Sequence, residues 1–436
     1  MTRSVVITGL GPVCSIATDA PSFQTAVERA TRSITPIESF DPTPFRAQLA
    51  GQVTQPNIRD SVPKSYRKAT KVMARDTELA VIAAKAAADD AGLKTRGSED
   101  ADTGFTIDPA RSGCNIGAGL IACDTAELSR AVATAANDDG SFSDTKWGTI
   151  DPGQAGMNNL PPLWLLKYLP NMLACHVTII HGLEGPSNTI MGAEAGALLS
   201  IGESMRIIER DDADLCFAGG AESRVNPHGL LRWQFADRLA VASKSDDPES
   251  ACKPFHPDSK GCFLGEAGGM LVIEDATHAA QRDARVYAKL TGFAATQSLT
   301  PALPIFDDDP AASDEGLERA IASALRDADL TPEDIDIVYP LAVGVPELDA
   351  REASAIEAAL GPRADQIPWI TLTDKVGNTL AAHGALAAAA AALALATQTI
   401  PDSPARSPAS PPKALRNALV CAPSLAGQCA ALVLSR

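Results

Sequence analysis

The sequence predicts an α/β fold in which one unit occurs twice. A chain of 436 residues is too long for a single simple core. Apolar, strand-like runs alternate with helical ones from end to end, the rhythm of an α/β protein. In each of two successive blocks a run of small residues turns into an apolar helix, which points to internal duplication. The division falls between 1–278 and 279–436.

The elements follow in order. Residues 4–8 are a β-branched run closed by Gly9-Leu10-Gly11-Pro12, a buried strand entering a turn. Its GxG lacks a third glycine at dinucleotide-binding spacing. Residues 20–33 read as helix and 34–62, rich in Pro and polar residues, as loop. An amphipathic helix with a glycine C-cap spans 71–93. A strand at 112–119 and a helix at 122–136 precede a Gly/Asp/Asn-rich excursion at 137–160. Strands follow at 189–191, 214–218 and 270–273. The second block has strands at 284–295, 335–341 and 369–372. Its helices are 312–329, with Ser313 as a possible N-cap, 348–360 and the Ala-rich 378–397. A Pro-rich connector leads to closing strands within 418–434.

Composition excludes several functions. Net charge is −17, which disfavours nucleic acid and anionic membranes. Nine cysteines, an odd number without CxxC, read as reduced thiols of a cytoplasmic protein, Cys175 among them as a core residue. Six histidines show no tight ligand spacing, so neither a metal nor another cofactor is expected. The Ala-rich run after His383 reads as a buried core helix, not a membrane span. Lys64, Arg67, Lys68, Lys71 and Arg75 concentrate positive charge in an acidic chain. They form either a docking surface for an acidic partner or a solvated face.

The stretch 183–210 carries the most specific local signal. A turn and a short strand lead through Gly192-Ala193-Glu194-Ala195-Gly196-Ala197 into a helix. Such a passage presents one side chain at a helix N-terminus, where small neighbours let backbones crowd it. The presented residue is Glu194. Read locally, it is a first-turn glutamate favoured by the helix dipole.

Longer motifs change that reading. VVITGLGPV, DDAGL, LPNMLACHVTIIHGLEGPS, FAGGAES and above all KPFHPDSKGCFLGEAGGMLVIED resemble a β-ketoacyl synthase of the elongating type along nearly the whole chain. The resemblance implies the thiolase fold, two duplicated α/β halves in a five-layered α-β-α-β-α arrangement, a dimer, and decarboxylative condensation on acyl carrier protein thioesters. That chemistry requires a nucleophilic Cys at the elbow, two histidines and an oxyanion hole. Here the Cys of T-A-C-x-G falls on Glu194. The His of H-G-T-x-T-P falls on Leu341, the register being held by Pro346, Asp349 and Glu352. In K-S-x-x-G-H the Lys falls on Thr373 and the His on Asn378. The gating loop G-F-G-G is reduced to Ser424, Leu425, Ala426 and Gly427. His383 lies about 140° round a helix from position 378 and is not expected to replace its histidine. His176 reads as structural.

With every catalytic side chain replaced, the resemblance implies a chain length factor. Such a subunit lacks condensing activity, pairs with an active ketosynthase, and shapes the acyl tunnel in polyketide, polyene or specialised fatty-acid synthesis. Segments 122–136 or 155–170 would act as the ruler. The partners implied are an active ketosynthase, or a second copy of the chain, and acyl carrier protein. The alternative is an enzyme of altered chemistry using Glu194 as general base, with Lys375 or Asp374.

Overall fold

A computed structural model describes residues 3–98, 104–148, 155–298, 314–402 and 404–436. Eleven strands occur in chain order: β1 Val5–Val13, β2 Thr35–Pro36, β3 Leu49–Ala50, β4 Ser112–Gly117, β5 Ser187–Ile190, β6 Leu215–Ser223, β7 Glu266–Asp275, β8 Ala288–Gln297, β9 Ile337–Tyr339, β10 Asn417–Pro423 and β11 Gln428–Ser435. β2 and β3 form a small ribbon. The other nine run β5-β4-β6-β7-β1-β8-β11-β10-β9.

That order contains the duplication. Counting the main-sheet strands of the first half as 1 to 5, they lie side by side as 3-2-4-5-1. In the second half, β9 also pairs in parallel with the segment at Trp369. Taking that segment as the third strand, the second half is again 3-2-4-5-1. The two first strands, β1 and β8, pair antiparallel through Val5↔Leu290, joining the halves edge to edge.

Helices complete five layers. Arg75–Asp90 covers β1, β6 and β7 on one outer face, and Glu315–Asp327 covers β8 and β11 on the other, packed against Pro346–Leu360. Between the half-sheets lie Gly196–Glu209 and His383–Thr397, in contact with each other and with strands of both halves. The alanines of His383–Thr397 let it approach strands on both sides, and it is buried from His383 through Leu395. This apolar helix is therefore core. The layers require bare backbone in places. A Cβ on Gly220 would sit 2.0 Å from the Ala381 carbonyl oxygen, and one on Gly117 2.5 Å from Gly196 C. The elbow is thus clamped between β4, β6 and the segment before the Ala-rich helix.

Several elements are shorter than their sequence patterns. The first helix covers only Ala20–Glu28, and the chain reverses at Ala30, φ +49°. The second begins at Arg75, after a 3₁₀ turn at Ala69–Val72. The helix expected at 122–136 is Thr125–Thr134, capped by Asp124. Asp314 caps Glu315–Asp327, whereas Ser313 lies outside the described residues. The excursion at 137–160 contains Asp144–Gly148 and a 3₁₀ turn at Gly156–Asn159, with 149–154 outside the described residues. The Ala-rich helix starts at His383 because Leu380 takes φ +48°. All nine cysteines are free, but Cys175 is only partly buried, beside Asn171 at the start of its helix.

Gly220→Ala forces its Cβ against backbone that cannot move aside. It is expected to lower stability by about 1–3 kcal/mol in denaturant unfolding. Gly148→Ala, with nothing near its added carbon, is expected to stay within about 0.5 kcal/mol of wild type.

Candidate functional site

Glu194 sits in a 3₁₀ turn, Ala193–Ala195, that runs directly into Gly196–Glu209. Ala193 takes φ +45°, a left-handed conformation that strains a residue with a Cβ. Ala342 and Leu380, beside Leu341 and Asn378, have φ +48° each. Strain of this kind persists where the surrounding structure over-determines the backbone.

The Glu194 side chain is 1% exposed. One carboxylate oxygen accepts from Asn378 Nδ2 at 3.3 Å, and the other accepts the Leu425 N–H at 3.1 Å. A backbone N–H beside the elbow is a natural oxyanion donor; here the protein's own carboxylate holds it. The turn carrying Leu425 is closed further by Ser424 Oγ to Gln428 Oε1 at 2.8 Å and Gly427 N–H to the Ser424 carbonyl at 2.9 Å.

Leu341 faces Glu194 across a cavity of about 30 Å³, whose wall also includes Arg238, Arg351, Glu352, Val343 and Leu425. A water needs roughly 10–15 Å³ of such space, so the cavity has room for ordered water beside Glu194. The Leu341 carbonyl accepts from Thr373 Oγ1 at 2.7 Å and Thr371 Oγ1 at 2.9 Å. Thr373 therefore acts as a backbone brace. Among the described residues, no cysteine and no histidine lines this cavity. Cys262 feels the Arg238 and Glu194 charges, but burial pushes its thiol up to about 12, far from nucleophilic. His383 is buried, does not line the cavity, and is held neutral by desolvation, at about 4.

Two buried acids brace the loop that carries Leu341. Glu352 accepts the N–H groups of Leu341 and Ala342, each at 2.8 Å. Asp349 accepts those of Gly344 at 3.0 Å and Phe255 at 2.9 Å. Burial, reinforced by Asp349, lifts Glu352 to about 8, and burial lifts Asp349 to about 7.

The sequence reading missed Arg238 and Arg351, which are 5% and 3% exposed. Burial lowers the Arg238 pKa, and the Glu194 carboxylate opposes that shift. No local pattern marks Arg238, whereas Arg351 lies beside Glu352 in the segment that fixed the register of Leu341. Behind the elbow a second charged group fills the interior. Glu222 pairs with Arg224 and accepts the Ala381 N–H at 3.0 Å, and Arg224 also reaches the Leu120 carbonyl. Burial raises the Glu222 pKa, and burial with Glu222 lifts nearby Asp76 to about 7.

Two groups of expected residues are placed elsewhere. Lys375 and Asp374 pair with each other at 2.9 Å, and Asp374 with Arg32 at 3.1 Å. They line a different cavity, so neither assists Glu194. In the basic cluster Lys64, Lys68 and Lys71 are exposed and Arg67 is half-buried. Arg75 differs from these in being turned onto Glu266 at 2.8 Å, Glu78 and the Val53 carbonyl, so its charge is answered within the chain. His176, taken as structural, is buried and bonded to Tyr66 Oη at 2.8 Å.

Comparison with known proteins fits this architecture. The Beta-ketoacyl synthase N-terminal domain matches residues 2–279, and the C-terminal domain matches 287–405. The chain belongs to the β-ketoacyl synthase family. It is similar to the 3-oxoacyl-[acyl-carrier-protein] synthase 2 of Staphylococcus aureus (strain N315), with 28% identity over 393 residues, 90% of this chain and 86% of that one. Its fold matches the ishigamide ketosynthase/chain length factor, with TM-score 0.79, 23% identity, and coverage of 100% and 99% of the two chains. A chain of the complex of a type II PKS acyl-carrier protein with its ketosynthase bound to the hexaketide matches with TM-score 0.79, 23% identity and full coverage of both chains. The thiolase fold is thus shared with β-ketoacyl synthases.

Replacing Glu194 with Ala leaves the Leu425 N–H without its acceptor. The expected cost is about 1–3 kcal/mol, with faster amide exchange at Leu425. Glu194→Gln, which keeps one acceptor, is expected to fall between.

The acids also set a pH dependence. Their folded pKa values lie above the unfolded ones, so their contribution is full at low pH and lost as pH rises towards 8. Stability is expected to fall between about pH 5 and 8, with a shallower slope in Glu352→Gln, measured by denaturant unfolding across that range.

Proposed function

We propose that this chain is a non-condensing subunit of the chain length factor type, which pairs with an active ketosynthase in the cytoplasm and helps shape the tunnel for its growing acyl chain. One observation carries the reading. At the elbow a carboxylate, fastened to Asn378 and to the Leu425 N–H, occupies a small cavity that no described thiol or imidazole lines. A glutamate cannot hold the acyl group as a thioester, and no imidazole is in place to assist decarboxylation or stabilise an enolate.

The outer surface supports a pairing role. Among the described residues β5 is an edge strand, paired with β4 alone, and an open edge invites a partner. Ile179 and Met191, beside it, are 51% and 55% exposed. In the two segments assigned to the ruler, Leu163, Leu165 and Met157 are also exposed, and Ala131 is the one buried residue within Thr125–Thr134. A partner would cover these groups and turn them into a shared wall. Lys64, Arg67, Lys68 and Lys71 offer a basic patch for an acidic carrier protein. The ishigamide assembly, a ketosynthase with a chain length factor, and the carrier-protein complex supply the analogy.

A second reading keeps an active site, favoured by the synthase name of the Staphylococcus aureus relative. Glu194 would then act as a general base on a carrier-bound acyl group. Turnover by the purified chain, abolished in Glu194→Gln, would carry it.

Co-expression with a ketosynthase that keeps its Cys and both His is expected to yield a stable heterodimer. Leu165→Ala and Met157→Ala are expected to lengthen its products, since one methylene at an apolar wall is worth about 1–3 kcal/mol. Unchanged product lengths in both variants would remove the ruler role. Failure to co-purify would remove the pairing.

A further inference from the structure

A cavity of about 300 Å³, separate from the elbow, is lined by Arg32, Lys253, His256 and Lys375 together with Glu249 and Asp374. Its floor is built from the chain's own charges. Lys375 is 1% exposed, and its ammonium donates to the Thr371 carbonyl at 3.0 Å and to Asp374 at 2.9 Å. Arg32 spans Glu249 at 3.3 Å and Asp374 at 3.1 Å. Arg32 and Lys375 therefore share these two carboxylates.

Lys253, half-buried in the wall, has no ion pair among the described residues. His256 is exposed at the rim, and its Nδ1 accepts the Asp258 N–H at 3.1 Å, leaving Nε2 to donate. Asp258 lies 3.8 Å from the same ring through its carboxylate and is not part of the cavity wall. With Lys253 unanswered, the wall carries a net positive charge, which is unusual in a chain of net charge −17. It suits a ligand that brings negative charge and several acceptor oxygens.

We propose that this cavity binds a phosphate group, taking Lys253 and His256 as its direct donors and Arg32 and Lys375 as the field behind them. The volume leaves room for a short organic substituent, so the group comes either from a free phosphate ester or from the phosphodiester of a carrier-borne pantetheine arm. The assignment does not depend on how Glu194 functions.

Titration of the full chain with inorganic phosphate, followed by calorimetry, tests it. Saturable binding is expected, weakened about tenfold or more in Lys253→Ala and in His256→Ala, and unaltered in Lys244→Ala on the exposed surface. Both site variants lie at the rim or wall, and an unchanged thermal melt shows that they fold. Displacement of phosphate by free 4′-phosphopantetheine alone assigns the free ester. Displacement by holo-carrier protein as well assigns the carrier-borne group. Absence of saturation, equal binding by the variants, or displacement by neither competitor would overturn the proposal.

Discussion

The two hydrogen bonds of the Glu194 carboxylate are the constraint around which the site is arranged. One ties the elbow to Asn378 on the segment leading into the Ala-rich helix, and the other ties it to Leu425 in the turn between β10 and β11. Three stretches remote in sequence are thereby held by a single side chain. The carboxylate is buried, which is costly unless its charge is answered. Two donated hydrogen bonds and the field of Arg238 answer it. Elbow and loop form one unit, so loss of the carboxylate would leave the Leu425 N–H without its acceptor.

The scaffold delivers Glu194 to that point by close packing, independently of any chemistry there. Bare backbone at Gly117 and Gly220 lets β4 and β6 press on the elbow and on Ala381. Asp349 and Glu352 hold the loop after β9 by its N–H groups. The left-handed turns at Ala193, Ala342 and Leu380 follow from these restraints. Gly117, Gly220, Asp349 and Glu352 thus have a folding role of their own.

Much of this was legible in the sequence because it rests on local pattern. The strand–elbow–helix passage at 183–210 and the repeated α/β rhythm appear in the order of small, apolar and polar residues. The surviving Pro346, Asp349 and Glu352 located Leu341, and the structure sets Leu341, Thr373, Asn378 and Glu194 around one cavity or its braces. Arg238 was not legible, because it comes from a turn remote in sequence, and Arg351, although it stands between Asp349 and Glu352, is not among the residues by which the motif is recognised. The pairing of Arg75 was hidden for a related reason. Its neighbours in sequence are basic, but its partners Glu266 and Val53 come from elsewhere in the chain. Helix ends were overextended where a single left-handed residue, as at Ala30 or Leu380, stops a pattern that hydrophobicity alone would continue.

The central claim is that position 194 no longer receives an acyl group. Intact-mass measurement of the purified chain after incubation with acyl-loaded carrier protein, alongside its ketosynthase partner, addresses it directly. The account predicts an acyl adduct on the partner and an unchanged mass for this chain. A stoichiometric acyl adduct on this chain, lost in Glu194→Gln, would contradict it.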